Sequence, residues 1–373
     1  MTKCVYPPLV VLHVAPVTNK KASGFSSSVP GMVNALHKLG VSTGLLTTAR
    51  ESYTARQPFP IIHIRELPLR SAIASLPPPL NRPDLIVFHS TYVPIHALLA
   101  HQASRLGIPY LIVPRGGMTY GAQRVKRLKK QIGNLLFFKR FVNGAIAIHC
   151  LTPREATEAQ NWGRPVFVEG NGINLPPPDQ LAQPGADRRL QLVFIGRFDI
   201  HHKGLDLLIR ACALAKQALY TAQAQVHLYG PDIKGSKTVM ADMIKDFDLQ
   251  PIVKIHGPVY NSQKKQVLRH TDLFLHTSRF EGHPMAVLEA LAYGIPCLLT
   301  VGTNFSTEVA KAGAGWEADI NAKSIAAAMR QALHDRPYLT QMGTMARKLA
   351  ETKYSWERVG QRLLEHYLEI LQP

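Results

Sequence analysis

The chain has 373 residues, 46% of them hydrophobic, and a formal net charge of +18 at pH 7. That length suits about two domains with buried cores, and no apolar run approaches the roughly 18 residues of a membrane-spanning helix. The four cysteines, Cys4, Cys150, Cys212 and Cys297, form no close pair, which argues against a zinc site or a disulfide framework and points to a reducing cytoplasm.

The first apolar run, residues 9–14 before Pro16, is β-branched and lacks a basic leader, so it reads as a strand rather than the core of a signal peptide. Further strands are expected at 43–47, 61–64, 85–89, 110–113, 145–149 and 166–168, with helical patterns at 29–39 and 96–106 between them. The first helix is read as starting at a serine cap and Pro30. A polar stretch with Pro176, Pro177, Pro178, Pro184 and Gly185 reads as a linker. A second alternating block follows, with strands at 191–195, 225–229, 253–256, 273–276 and 296–300 and helices at 205–217, 284–293 and 324–333. Short apolar runs alternating with helices predict parallel sheets wound on both faces. The expected boundaries are a first domain at 1–174, a linker at 175–189, a second domain at 190–354, and a terminal amphipathic helix at 355–373 that could return to the first domain.

Charge divides unevenly between these blocks. Residues 1–150 carry 18 Lys and Arg against Glu51, Glu66 and Asp84, a net +15, whereas the rest carries +3. Such asymmetry suggests that one half meets an anionic partner. Residues 115–140 hold eight of these cations and no acid, and Val125, Leu128, Ile132, Leu135 and Leu136 fall at helical spacing. The segment Arg124 to Arg140 therefore fits a basic amphipathic helix on an anionic membrane surface, or a helix packed on the domain with a solvated basic face.

Two motifs in the second block carry chemistry. Gly196 and Arg197 end a strand, and Lys203 and Gly204 open a helix. Two cations flanking a helix start suit a diphosphate; two surface cations on a solvated loop fit the same pattern. Next come Glu281, Gly282, His283, Pro284, Met285 and, eight residues after the first carboxylate, Glu289. Ionised Glu only accepts hydrogen bonds, so sugar hydroxyls are natural partners. Glu289 lies among Val287, Leu288, Ala290 and Leu291, where a carboxylate needs a partner.

Taken together, Gly196-Arg197, Lys203-Gly204, Phe280-Glu281-Gly282, Leu288-Glu289-Ala290, Gly294 and Pro296 closely resemble glycosyltransferase family 4, a family of retaining enzymes. The resemblance implies an α/β fold of GT-B architecture, two doubly wound Rossmann-like domains facing across a cleft. It also implies a nucleoside-diphosphate sugar as co-substrate and no metal or other cofactor. By the same resemblance Arg197 and Lys203 grip the donor diphosphate and Glu289 receives the ribose hydroxyls. Glu281 and the backbone amides after it, in the segment Gly282, His283, Pro284 and Met285, hold the sugar, and the segment around Val259 holds the base. Residues 168–174 resemble the family's Asn-Gly turn at the end of the first domain.

Two first-block sites match less fully. The family's glycine-rich loop after the first strand is represented by Gly24, followed by Phe25 and serines. Where many members carry a histidine, this chain has Arg115 after Pro114, a form resembling a surface-polysaccharide subgroup. Arg115 cannot act as a base at neutral pH, but it could hold a phosphate, a hydroxyl or an acceptor anion. His89, ending a strand, could line the same cleft. Asp246-Phe247-Asp248 spells the metal-binding string of the other large glycosyltransferase architecture but ends a helical pattern far from these motifs, and is set aside.

The implied activity is retaining hexosyl transfer to a sugar, lipid-linked or polysaccharide acceptor, at the cytoplasmic face of a membrane. An epimerase or phosphorylase-like enzyme of the same fold is the nearest alternative. A nucleic-acid-binding protein fits the +15 half but lacks a nucleic-acid motif.

Overall fold

The computed structural model describes residues 9–19, 24–51, 53–120, 123, 127–183 and 189–372. The chain divides into two compact units, one of residues 1–172 and 356–373, the other of residues 173–355.

The first unit holds seven parallel strands: β1 (Val10–Ala15), β2 (Ser42–Thr47), β3 (Ile61–His63), β4 (Leu85–His89), β5 (Tyr110–Val113), β6 (Ala147–Cys150) and β7 (Val166–Val168), in the order β3-β2-β1-β4-β5-β6-β7. The order reverses between β1 and β4, which pair directly. Both faces of the sheet are covered, so the strands are almost wholly apolar rather than alternating. One face packs under the helix Gly24–Lys38 and the terminal helix Trp356–Leu371, through Val11, Met32, Leu36, Val87, Leu111, Leu363 and Tyr367. The two helices approach closely because Gly360 lies against Ala35, and Gly31 and Gly172 leave room for the Trp356 indole. Arg362 then pairs in a fork with the buried Glu169, at 2.6 and 3.0 Å.

The second unit repeats the plan with six parallel strands: β8 (Leu190–Ile195), β9 (Ala224–Tyr229), β10 (Val253–His256), β11 (Leu273–His276), β12 (Cys297–Thr300) and β13 (Gly315–Ala318), in the order β10-β9-β8-β11-β12-β13. Its order reverses between β8 and β11. In open sheets of this kind the crevice at the carboxyl ends of the two switch strands is where ligands bind.

Three readings of the sequence change. The first helix begins at Gly24, so Pro30 lies inside it; burial of Val29, Pro30, Met32 and Val33 outweighs the missing N–H. Of the stretch expected to link the domains, 175–189, residues 175–183 group with the second unit, as do residues 173 and 174, expected to close the first domain. The stretch is strapped there by Arg347 donating to the Pro176 carbonyl at 2.9 Å and by the Ala182 amide donating to the Tyr293 carbonyl at 2.9 Å. Residues 184–188 lie outside the described residues. The edge strand β13 was not anticipated, because four residues, Gly315 to Ala318, with one exposed and one buried, are too few to show an alternation.

Candidate functional site

In the second unit the loop after β8 and the loop after β11 are joined along their length. Arg279 forks onto Asp206 through two contacts of 2.7 Å and donates to the His201 carbonyl at 2.8 Å. The Thr277 hydroxyl lies 3.2 Å from the carbonyls of Lys203 and Gly204. Gly204 has φ +61, and a Cβ there would overlap the Thr277 carbonyl. Only glycine satisfies both the left-handed backbone and the close approach.

The centre of this double loop is Glu281. Its Oε1 receives the Lys203 ammonium, the His276 imidazole at 3.1 Å and the Ser278 hydroxyl at 2.7 Å. Burial alone would raise the carboxyl, but Lys203 beside it and the His276 bond hold it well below the ordinary carboxylate range. An ionised carboxylate only accepts, so the His276 Nε2 carries the proton. Burial lowers His276 itself, against the pull of Glu281, and keeps it neutral. Among the described residues Oε2 makes no hydrogen bond and has His202 at 3.9 Å, and so remains able to accept a hydroxyl. His202 stacks on the exposed Phe280 with centroids 4.3 Å apart.

The other sequence-predicted residues of this unit lie on the loop after β8, on the loop and helix after β11 and, for Val259, after β10. Arg197 is exposed, directly after Gly196, and its side chain makes no hydrogen bond or ion pair among the described residues. The helix Met285–Ala292 starts after Pro284 with no side-chain cap, which leaves amide dipoles open at its start. His283 packs edge-on against Phe305 at 4.5 Å and Tyr354 at 5.7 Å. Glu289 forms an ion pair with Lys264, a residue that sequence reasoning missed because it stands on a different helix, Asn261–Arg269. Val259 follows β10 and packs against the apolar cluster of Val193, Ile195 and Phe274.

The first unit answers differently. His13, His89 and His149 stand on the face of the sheet that also carries Val11, Val87 and Ala147. Arg115, with φ 51, turns its guanidinium into this layer. Nε donates to His89 Nδ1 at 3.3 Å, and Nη1 to Ser28 Oγ at 2.9 Å and Asn171 Oδ1 at 3.4 Å; the group lies 4.8 Å from the Phe25 ring centre. His89 Nδ1 accepts, so its Nε2–H donates to His13 Nδ1 at 3.0 Å. Burial lowers Arg115 to about 10, so it stays charged, and burial lowers His13 and His149 to about 3. Burial is likewise the main cause of the fall in His89. The countercharge is Glu155, a buried carboxylate that accepts from the Gly116 and Leu151 amides. Arg115 and His89 are thus engaged with each other and with neutral acceptors. Gly24 is the first residue of the helix that Ser28 ties to Arg115.

The basic segment forms helix Arg127–Gly133, a π-helical turn Asn134–Phe138 and helix Lys139–Asn143. Residues 124–126 and the side chains of 127–129 lie outside the described residues. Phe138, Phe141 and Val142 are buried, whereas Ile132, Leu135, Leu136 and Phe137 are each more than half exposed, with Leu135 at 84%. The apolar stripe over 132–136 therefore faces outward, and the alternative of inward packing fails for these residues. Among the described residues no helix is long and apolar enough to cross a membrane.

Comparison with known proteins agrees with this division. Residues 23–172 match the glycosyl transferase 4-like domain, and residues 179–349 match glycosyl transferases group 1. The amylovoran biosynthesis glycosyltransferase AmsK of Erwinia amylovora is 28% identical over 61% of this chain, a match that spans 53% of that protein. A D-inositol 3-phosphate glycosyltransferase of Arthrobacter sp. (strain FB24) is 25% identical over 95% of this chain and 93% of its own length. Among solved structures, sucrose-phosphate synthase from Thermosynechococcus elongatus superposes with a TM-score of 0.73 at 16% identity, covering 96% of this chain and 98% of that one. Anabaena HepE in complex with UDP and glucose superposes with a TM-score of 0.71 at 15% identity, covering 97% and 100%. The fold is GT-B, and the chain belongs to the glycosyltransferases built from these two domains.

Proposed function

We propose that this chain transfers a sugar from a nucleoside diphosphate to an acceptor hydroxyl with retention of anomeric configuration. The observation that carries the reading is the cluster of Lys203, His276 and Ser278 on Glu281 at the carboxyl ends of β8 and β11. In the reaction the bond from the sugar C1 to the diphosphate oxygen breaks, and the acceptor oxygen bonds to C1 on the same face. The acceptor proton ends on the diphosphate. Arg197, Lys203 and the amides opening helix Met285–Ala292 neutralise the departing charge, a role that needs no bound metal, so EDTA should leave turnover unchanged. Glu289 takes the ribose hydroxyls and Val259 contacts the base. Glu281 takes a hydroxyl of the transferred sugar on Oε2. The solved complex of HepE with UDP and glucose supports a nucleotide-sugar donor, and AmsK supports an acceptor in polysaccharide synthesis. The test is proton NMR of the product anomer with a nucleotide-sugar panel and a crude lipid-linked acceptor. Retention is expected, and an inverted anomer overturns the mechanism.

The outward stripe of Ile132, Leu135, Leu136 and Phe137 beside Lys139 and Arg140 favours an acceptor met at a membrane. An apolar wedge flanked by cations binds anionic interfaces by burying area and by Coulomb attraction. The protein should float with vesicles containing phosphatidylglycerol at low salt, and Leu135→Asp should abolish flotation. Equal recovery with neutral vesicles contradicts the assignment.

A further inference from the structure

Asn304 lies 23 residues after Glu281, in the turn that follows β12, and none of the chemistry above uses it. Its backbone is left-handed, with φ 61 and ψ 11, a conformation that asparagine tolerates better than other residues bearing a Cβ. Its side-chain nitrogen donates to the carbonyl of Glu281 at 2.6 Å and lies 3.3 Å from the carbonyl of Gly282. The turn itself is wedged under the sugar-binding loop. Gly302 has room for no side chain, since a Cβ would overlap the carbonyls of Ser278 and Arg279, and the Thr300 hydroxyl donates to the Ser278 carbonyl at 2.7 Å.

A trans peptide is planar, with its C=O and N–H pointing opposite ways. A donor that captures the carbonyls of residues 281 and 282 therefore turns the amides of Gly282 and His283 away from itself, both to the same side. Successive amides so aligned form a small concave receptor for an oxygen bearing negative charge. The space beside Gly282 is open, since a Cβ there would meet nothing within 4 Å.

We infer that Asn304 is a positioning residue: by holding the Glu281 and Gly282 carbonyls it aims the Gly282 and His283 amides at oxygens of the sugar portion of the donor. This rests on the donor reading given under Proposed function. The Asn304 side-chain nitrogen is spent on the two carbonyls of the Glu281 loop, so its effect is assigned to the sugar half of the donor.

Two variants isolate the side chain. Asn304→Gly keeps the left-handed backbone at ease and removes the donor; Asn304→Asp keeps the shape and replaces the donor with an acceptor. Calorimetric titration uses UDP and GDP as nucleotide probes, and UDP-glucose and GDP-mannose as nucleotide-sugar probes. Both variants should bind the preferred nucleotide within twofold of the unsubstituted protein. They should lose about tenfold or more in nucleotide-sugar affinity or in kcat, with Asp the worse, while melting temperature changes little. Parallel losses for nucleotide and nucleotide sugar, or losses that track a fall in melting temperature, mean a merely structural turn and overturn the inference. So does unchanged behaviour of both variants. An unsubstituted protein that binds none of the four probes overturns the donor reading itself, whatever the variants do.

Discussion

The two units share one strand order but treat charge at their carboxyl ends in opposite ways. In the first, Arg115 is drawn into a buried layer with His13, His89 and His149 and held by Ser28 and Asn171. In the second, Arg197 stands exposed in the loop after β8, while Lys203 is buried against Glu281, whose second carboxylate oxygen makes no hydrogen bond among the described residues. A cation drawn into the interior costs several kcal/mol to desolvate; the bonds of Arg115 Nε and Nη1 and the Glu155 countercharge offset that, while Nη2 finds no partner among the described residues. An exposed cation costs nothing to leave unpaired and is available to a ligand. The same residue type therefore serves stability in one unit and, on the function proposed above, recognition in the other.

Substitutions should separate the two roles, and the largest effect belongs to the second unit. Lys203→Ala should reduce turnover by roughly 10²–10³, the usual loss when a charge-stabilising donor is removed from a reaction site. Measured kcat/KM within threefold of the unsubstituted protein would break the contrast. Arg115→Met should act instead on folding, since it removes a donor from His89, Ser28 and Asn171 and leaves Glu155 without its countercharge. A loss of about 2–4 kcal/mol in urea unfolding is expected.

Acid should find the same difference. His13, His149 and His96 are held by burial to about 3, 3 and 4 in the folded state, against about 6.5 when unfolded. The unfolded chain thus binds more protons below pH 6.5, and stability falls as pH drops from there towards 4, by up to about 1.4 kcal/mol per pH unit per imidazole. The second unit carries such imidazoles too, His227 on β9 at about 4 and His276 on β11, but none on β8 or β12, so hydrogen exchange on lowering pH from 7 to 5 should expose amides of β1, β4 and β6 before those of β8 and β12. The reverse order would contradict the assignment of the buried layer. The smallest effect expected is on the stability of Arg197→Ala. An exposed cation without a partner should shift unfolding by less than about 0.5 kcal/mol, even as transfer is lost.

Much of this was legible in the sequence, and the limits have physical causes. Strand-end loops that carry Arg197, Lys203 and Glu281 follow continuous apolar runs, so both their place in the fold and their chemistry could be read locally. Arg115 was visible as a residue after β5, but its inward turn depends on Ser28 and Asn171, 87 and 56 residues away. Lys264 and Asn304 carry no local mark, because each acts on a carboxylate or carbonyl 22 to 25 residues distant. The helix start at Gly24 was misplaced because local cap and proline signals were outweighed by burial against the sheet.

The most direct test of the contrast is a crystal structure of the protein soaked with UDP or GDP at millimolar concentration. Diphosphate density in contact with Arg197 and Lys203, and ribose on Glu289, is the predicted result. Nucleotide bound instead at Arg115, or none at the loops after β8 and β11, would contradict it.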